Sequence, residues 1–251
     1  MTDRVRRLRL NKFISETGVC SRRQADDWIA AGRVTVNGAV ATLGTQVTAV
    51  DAVEVDGQPV ARKPRRIYIA LNKPVGIECT TNRAVRDNIV DFVAHRERLF
   101  PVGRLDKDSE GLILLTNDGD IVNAILRAEH AHEKEYLVTV DRPLTDAFLA
   151  GMAAGVPILD TVTNPCRVER VAKNTFRIVL TQGLNRQIRR MCKHFDYTVR
   201  RLQRVRIMHL RLGRLAVGSW RELSPLENAE LAAALAEAPQ SVTTSASFRR
   251  R

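Results

Sequence analysis

Gly103-Arg104-Leu105-Asp106-Lys107-Asp108-Ser109-Glu110 runs directly into Gly111-Leu112-Ile113-Leu114-Leu115-Thr116, so a dense polar stretch feeds an apolar run of strand length. The spacing Asp106-x-Asp108-x-Glu110-Gly111 imitates the start of a calcium loop. The twelfth position, however, is Asn117, which cannot supply the bidentate carboxylate, and residues 112–115 read as buried strand rather than loop, so calcium is set aside. What remains is a carboxylate-bearing turn at the mouth of a buried strand.

Outward from that turn, strand patterns at residues 67–71, 111–116, 135–140 and 175–181 alternate with helical ones near 121–126, 145–152 and 186–195. The pattern predicts an α+β domain with a mixed, mostly antiparallel sheet. Over the last helix, Arg186, Arg189, Arg190 and Lys193 share one face while Ile188, Met191, Cys192 and Phe195 recur on another. One side packs and the other is free to meet a polyanion. Cys192 and His194, two apart on that helix, point to different sides, and His130 and His132 have no third ligand beside them, so neither pair reads as a metal site.

Toward the N-terminus, Leu10, Phe13 and Ile14 fall at i, i+3, i+4, and Ala25, Trp28 and Ile29 repeat the pattern after Gly18. Ser21-Arg22-Arg23-Gln24 fits a capping box, which starts the second helix at about Arg22. Val34-Thr35-Val36 then meets Asn37-Gly38, the dipeptide best suited to a type I′ hairpin. Two short helices followed by β structure make a small separate module. Arg62-Lys63-Pro64-Arg65-Arg66 has no apolar period and reads as a linker. The expected organisation is residues 1–61, a linker at 62–66, a larger domain at 67–238 and a disordered basic tail at 239–251.

Forty Lys and Arg against twenty-eight Asp and Glu give a formal charge of +12 and a pI near 10.3, and arginine dominates the excess. A planar, phosphate-chelating cation in such excess favours nucleic acid as partner. Ten of these cations, against the single acidic Asp196, lie between Arg186 and Arg214. The four cysteines are scattered without zinc or disulfide spacing, and no apolar run reaches the roughly 18 residues of a membrane span, so a cytoplasmic protein is expected.

Leu10-Asn11-Lys12 and Ser21-Arg22-Arg23, within the αα-then-β pattern of residues 9–55, resemble the S4 RNA-binding domain. That resemblance implies phosphate contacts for Lys12, Arg22, Arg23 and Arg33. The stretch from Gly103 to Asp120 resembles the Arg-Leu-Asp motif of pseudouridine synthases, in the RsuA-type group that modifies ribosomal RNA. There the Asp is the nucleophile, here Asp106. The reaction cuts a uracil from C1′, turns it and rejoins it through C5, which a carboxylate can serve by attacking and later leaving, without cofactor or metal.

Three further motifs follow the family order. Gln187-Ile188-Arg189 resembles the element whose Arg partners the catalytic Asp, so Arg189 takes that role, with Arg186 and Arg190 beside it toward RNA. Lys134-Glu135-Tyr136 resembles the element whose Tyr lies against the target base. Asn72-Lys73-Pro74-Val75-Gly76 resembles the first motif, making Lys73 and Pro74 part of the pocket wall. Arg104, by the same resemblance, fills the space left by an extruded base. Residues 86–93 and 156–163 resemble the enzymes of the large subunit, which implies 23S rRNA, free or in an assembling subunit, as partner, with tRNA a further candidate, and a monomer. The main rival is a non-catalytic S4-type RNA-binding or ribosome-assembly protein. Retention of Asp106, Tyr136 and Arg189 together speaks against it, and the absence of a recognition-helix pattern or dimer zipper speaks against a DNA-binding regulator.

Overall fold

The computed structural model describes residues 7–60, 66–126 and 132–236. The expected tail, His130 and all of the expected linker but Arg66 lie outside these residues. The chain divides into two compact units. One comprises Met1–Tyr68, Thr80–Pro101 and Leu115–Gly119; the other comprises Ile69–Cys79, Val102–Leu114 and Asp120–Arg251.

The first unit opens with β1 (Leu8–Arg9), α1 (Leu10–Glu16) and α2 (Arg22–Ala30), followed by β2 (Val34–Val36), β3 (Ala39–Val40), β4 (Gln46–Val47), β5 (Val53–Val55) and β6 (Gln58–Pro59). The apolar positions read from the sequence form its core: Leu10, Ile14, Ala25 and Ile29 meet Val34, Val47 and Val53, all buried. Asn11 ties the helices together by donating to both carboxylate oxygens of Asp26 at 2.9 and 3.1 Å. Ser21 caps α2 by accepting from the Gln24 N–H at 3.1 Å, while the return bond from the Gln24 side chain does not form among the described residues. Asn37 and Gly38, with φ of +52° and +82°, turn β2 into β3 with Val36 opposite Ala39. Both turn residues therefore occupy the left-handed region that a type I′ turn requires.

The rest of the chain supplies β7 (Tyr68–Lys73), α3 (Ile89–Val93), β8 (Phe100–Val102), β9 (Glu110–Thr116), α4 (Gly119–Leu126), β10 (Lys134–Val140), α5 (Asp146–Ala154), β11 (Pro157–Ile158), β12 (Thr161–Val162), β13 (Arg167–Ala172), β14 (Thr175–Leu180), α6 (Gln187–His194), β15 (Val199–Ile207), β16 (Leu210–Arg211), β17 (Trp220–Glu222) and α7 (Pro225–Ala236). The sheet runs β13-β14-β10-β15-β9-β7-β17, with β16 beside β15 and β8 beside β9. β15 runs parallel to β9 while its pairing with β10 is antiparallel, so the sheet is mixed and mostly antiparallel as expected.

Burial explains the order. From Gly111 to Thr116, β9 is buried at every residue, as a strand covered on both faces must be, whereas β13 is largely exposed at the edge. Phe148 and Met152 of α5 and Met191 and Cys192 of α6 pack onto Phe176 and Ile178, forming the core of the larger unit. Burial drives the Cys192 thiol up to about 12, so it behaves as an inert apolar side chain. Asp196 ends α6 with φ +61°, the left-handed conformation that Asp tolerates.

The pairing of β15 positions the site. Arg204 stands opposite Gly111 on β9 and opposite Tyr136 on β10. A Cβ on Gly111 would lie 2.3 Å from the Arg204 carbonyl oxygen, and Gly111 has φ +106°. Glycine is required there on both counts.

Candidate active site

Asp106 sits in the turn between β8 and β9, and backbone bonds fasten that turn on both sides. Its carbonyl accepts from Ser109 N–H at 3.0 Å, and Lys107 O accepts from Gly76 N–H at 2.8 Å. Leu105, buried, acts as a peg, and its N–H points at Cys79 Sγ at 3.3 Å. The Asp106 side chain stays about one third exposed, at 33%. A carboxylate is thus held by its backbone while its oxygens face open space.

Two cavities meet at this residue, both within the larger unit. One, of about 580 Å³, is lined by Arg104, Asp106, Lys134, Tyr136, Arg186 and Arg204 among apolar neighbours such as Leu180 and Leu202. The other, of about 420 Å³, is bordered by Val75, Gly76, Arg104, Asp106, Asp108 and Arg186. These volumes and the few convergent polar groups suit a ligand of nucleotide size.

Arg189, expected to partner Asp106, bonds in the structure to the turn that follows it, while Arg186 approaches Asp106. Arg186 Nη1 stands 3.7 Å from Asp106 Oδ2, while Arg189 Nη2 donates to Asp108 O at 2.8 Å and to Ser109 Oγ at 3.3 Å. The reason lies in the start of α6. Arg186 takes the left-handed conformation at φ +50°, just outside the first turn, which turns it away from the helical face it would share with Arg189. A non-glycine residue held there stores strain, as residues at functional sites often do. Asp108 gathers both cations: Arg186 binds it through two bonds of 3.1 and 2.9 Å, and Arg189 Nε lies 3.4 Å away. The Arg186 hydrogen bond holds the Asp108 carboxyl below the usual carboxylate range.

Lys73 is fully buried, and its ammonium donates to Pro74 O and Ile77 O, each at 2.8 Å. Burial lowers its pKa. Neither Lys73 nor Pro74 lines either of these two cavities. They stand behind the wall and shape the turn that presents Val75 and Gly76 to it. Arg190 bonds to Asn185 at 3.0 and 3.2 Å and faces solvent.

In the first unit, Lys12 lies 3.4 Å from Glu16, one helical turn on. Arg22 and Arg23 are exposed at the start of α2. Arg33 is engaged by Asp56 through a two-point fork, and its guanidinium lies 5.1 Å from the centre of the Trp28 ring.

Three residues beside Asp106 went unassigned from the sequence: Asp108, Lys134 and Arg204. Asp108 was visible only as part of a false calcium spacing. Arg204 was counted with a basic run, although Leu202 and Ile207 around it carry the apolar signal of a central strand.

Known proteins fit this geometry. The sequence model of the RNA pseudouridylate synthase family matches residues 67–194, and that of the S4 domain matches residues 8–53. The dual-specificity RNA pseudouridine synthase RluF of Escherichia coli K12 is 58% identical over 228 residues, which cover 89% of this chain and 78% of that one. The ribosomal large subunit pseudouridine synthase B of Bacillus subtilis is 37% identical over 228 residues, covering 87% and 93% of the two chains. A crystal structure of a pseudouridylate synthase aligns at a TM-score of 0.66 and 30% identity, covering 89% of this chain and 99% of the other. The chain belongs to the RNA pseudouridine synthase family, with an S4 domain ahead of the synthase fold.

Proposed function

We propose that this chain isomerises one uridine of 23S ribosomal RNA with Asp106 as the nucleophile. The observation that carries the reading is the meeting of Asp106, Tyr136 and Arg186 around one cavity of about 580 Å³. A uridine extruded from its helix enters the cavity, Asp106 attacks C1′ or C6, the N1–C1′ bond gives way, and the turned base rejoins through C5. Tyr136 lies against the base and Arg186 orients Asp106. Arg104, exposed at the border of both cavities, takes the vacated space in the RNA. Arg189 steadies the turn through Asp108 and Ser109, and Arg190 faces RNA.

Residues 1–61 act as the RNA-binding domain, with Lys12, Arg22, Arg23 and Arg33 on phosphates, Arg33 being oriented by its fork to Asp56. The catalytic domain is assigned to residues 67–238. The large-subunit activity of the Bacillus subtilis relative supports a large-subunit substrate, free or in assembly, and the dual specificity of the Escherichia coli relative supports a second RNA, for which tRNA is the candidate. The enzyme acts as a monomer in the cytoplasm. Among the described residues no helix is long and apolar enough to cross a membrane.

Chemical mapping of pseudouridine across ribosomal and transfer RNA tests the reading, in cells without the gene and in cells complemented by wild type or Asp106→Asn. Loss of one 23S site, restored by wild type alone, is the expected result. No missing site, or full rescue by the variant, returns the chain to the non-catalytic RNA-binding reading.

A further inference from the structure

Lys134 and Tyr136 are two residues apart on β10 and so share one face of the sheet, and Tyr136 is the direct cross-strand partner of Arg204. All three line the larger cavity together with Asp106. Glu135, between Lys134 and Tyr136, points to the opposite face, where Arg206 Nε and Arg177 Nε hold it at 2.8 and 3.1 Å. The carboxylate nearest in sequence therefore cannot neutralise the cations inside.

Among the described residues, those cations bond to neutral acceptors. Arg204 is 3% exposed; its Nε donates to Leu112 O at 2.7 Å, its Nη1 reaches Arg104 O at 3.5 Å, and its buried Nη2 has no hydrogen-bond partner among the described residues. Lys134 Nζ donates to His132 O at 3.2 Å. Burial, and then the charge of Arg204, lower the Lys134 pKa, the mark of an ammonium kept from its counter-charge. A buried guanidinium and a half-buried ammonium on one cavity wall, with no carboxylate bonded to either among the described residues, destabilise a fold, and a buried donor left unpaired adds to that, unless a ligand supplies what is missing.

We infer that Lys134 and Arg204 form the electropositive wall that takes up negative charge on the target pyrimidine while its glycosidic bond is broken. The inference rests on the uridine isomerisation proposed above. When the N1–C1′ bond breaks, its electron pair stays on N1 and the uracil becomes an anion with charge spread over N1, O2 and O4. C1′ takes a bond from an Asp106 oxygen. After the base turns, C5 bonds to C1′ and the C1′–oxygen bond returns its pair to Asp106. The C5 proton passes to Asp106 and on to water, and N1 takes a proton from water, so the product is an isomer of the substrate. If Asp106 adds at C6 first, the electrons move to C5 and O4 and the same wall faces the same charge. Fixed cations aimed at charge that develops only during reaction lower the barrier more than they tighten binding.

The test uses RNA fragments spanning the mapped site, with uridine or 5-fluorouridine at the target position, under single-turnover conditions with full-length enzyme. Cleavage of N1–C1′ is read as loss of the target nucleoside from a nuclease digest, and RNA affinity is measured separately. Lys134→Met and Arg204→Met are expected to slow uridine cleavage about a hundredfold each, with affinity unchanged within about twofold. Fluorine stabilises the pyrimidine anion without help from the protein, so on 5-fluorouridine the deficit shrinks to about tenfold or less. Arg204→Lys, which keeps the charge, recovers part of the rate. Equal deficits on the two substrates, or a loss confined to affinity, overturn the inference.

Arg204 also braces Leu112 and Arg104, so if its Met variant does not fold, Lys134→Met, which gives up one bond to His132, decides the matter alone. Should wild type leave every uridine unchanged, the proposed function fails and this inference falls with it. Should wild type react, Asp106→Asn stay inert and Lys134→Met run at full rate, only the inference fails.

Discussion

In the helix–hairpin unit, Arg33 lies on the outside with Asp56 gripping its fork and Trp28 beneath it, whereas in the synthase unit Arg204 is buried and one of its nitrogens has no hydrogen-bond partner among the described residues. The same side chain meets opposite conditions. At the surface, water and a nearby carboxylate satisfy a guanidinium, so exposed cations add attraction to a polyanion at little structural cost. Inside the cavity, each unneutralised charge destabilises the empty protein and is compensated only when negative charge arrives. On the proposed reading, exposed arginines govern how tightly RNA is held, and an enclosed one governs what happens to it afterwards.

The largest effect that sharpens this contrast falls on Asp106. Asp106→Asn keeps the shape of the turn, since the backbone bonds of Asp106, Lys107 and Leu105 do the holding, but removes the carboxylate proposed to attack. Single-turnover isomerisation is expected to fall by about 10⁴-fold or more. RNA affinity should stay within about twofold of wild type, since no phosphate contact is assigned to this residue. A comparable loss of affinity would erase the distinction between holding and reacting.

Next comes the close approach behind the cavity. Gly111→Ala forces a Cβ to 2.3 Å from the Arg204 carbonyl and a left-handed φ onto alanine, so β9 and β15 must part. A loss of about 3 kcal/mol or more is expected in urea unfolding at constant slope. Unchanged stability would mean that the strands separate freely, and Arg204 could not then be a fixed wall.

How much of this was legible in the sequence follows the same contrast. The helices of the first unit were readable because their apolar stripes and the Ser21 cap are local signals, and Asn37-Gly38 named its own turn. Strands β7, β9, β10 and β14 announced themselves by apolar or β-branched runs. β15 did not: Val199-Arg200-Arg201-Leu202-Gln203-Arg204-Val205-Arg206-Ile207 carries arginine even where it is buried, so a central strand was read as a basic stretch. The switch from Arg189 to Arg186 beside Asp106 was hidden for another reason. Helical periodicity puts the two on one face, and only the left-handed backbone at Arg186 breaks that equivalence. Function here interrupts the regular patterns on which sequence reading depends.

A smaller effect belongs to the outer cations. Arg22 and Arg23 are exposed on the first turn of α2, and no described side chain forms an ion pair or hydrogen bond with either. Replacing both by Ala is expected to weaken RNA binding about tenfold at moderate salt and to lower the slope of log affinity against log salt by about 1 to 2. Single-turnover rate at saturating RNA should not change. A fall in rate at saturation would carry these residues across to the other side of the comparison.

The smallest expected effect concerns a charge pair that lies between the two extremes. At the start of α7, Ser224 Oγ accepts from Glu227 N–H at 3.2 Å and Glu227 Oε2 accepts from Ser224 N–H at 2.8 Å, while the Arg221 fork reaches the same carboxylate at 2.7 and 2.6 Å. The Arg221 bond draws the Glu227 pKa down to about 2 from an ordinary 4.5. A carboxyl lowered on folding stabilises the protein fully above its unfolded value and loses that contribution as pH falls through the folded one. The window is therefore pH 4.5 down to about 2. Because Arg221 is 39% exposed, solvent screens the pair, and the contribution is taken as about 1 kcal/mol rather than the full value of the shift. Glu227→Gln should lower stability by about that amount at neutral pH and by progressively less as the medium is acidified, with the two proteins converging near pH 2. A difference that stays constant across that range would show that a feature of the glutamate side chain independent of its ionisation, and not the ion pair, carries the stability.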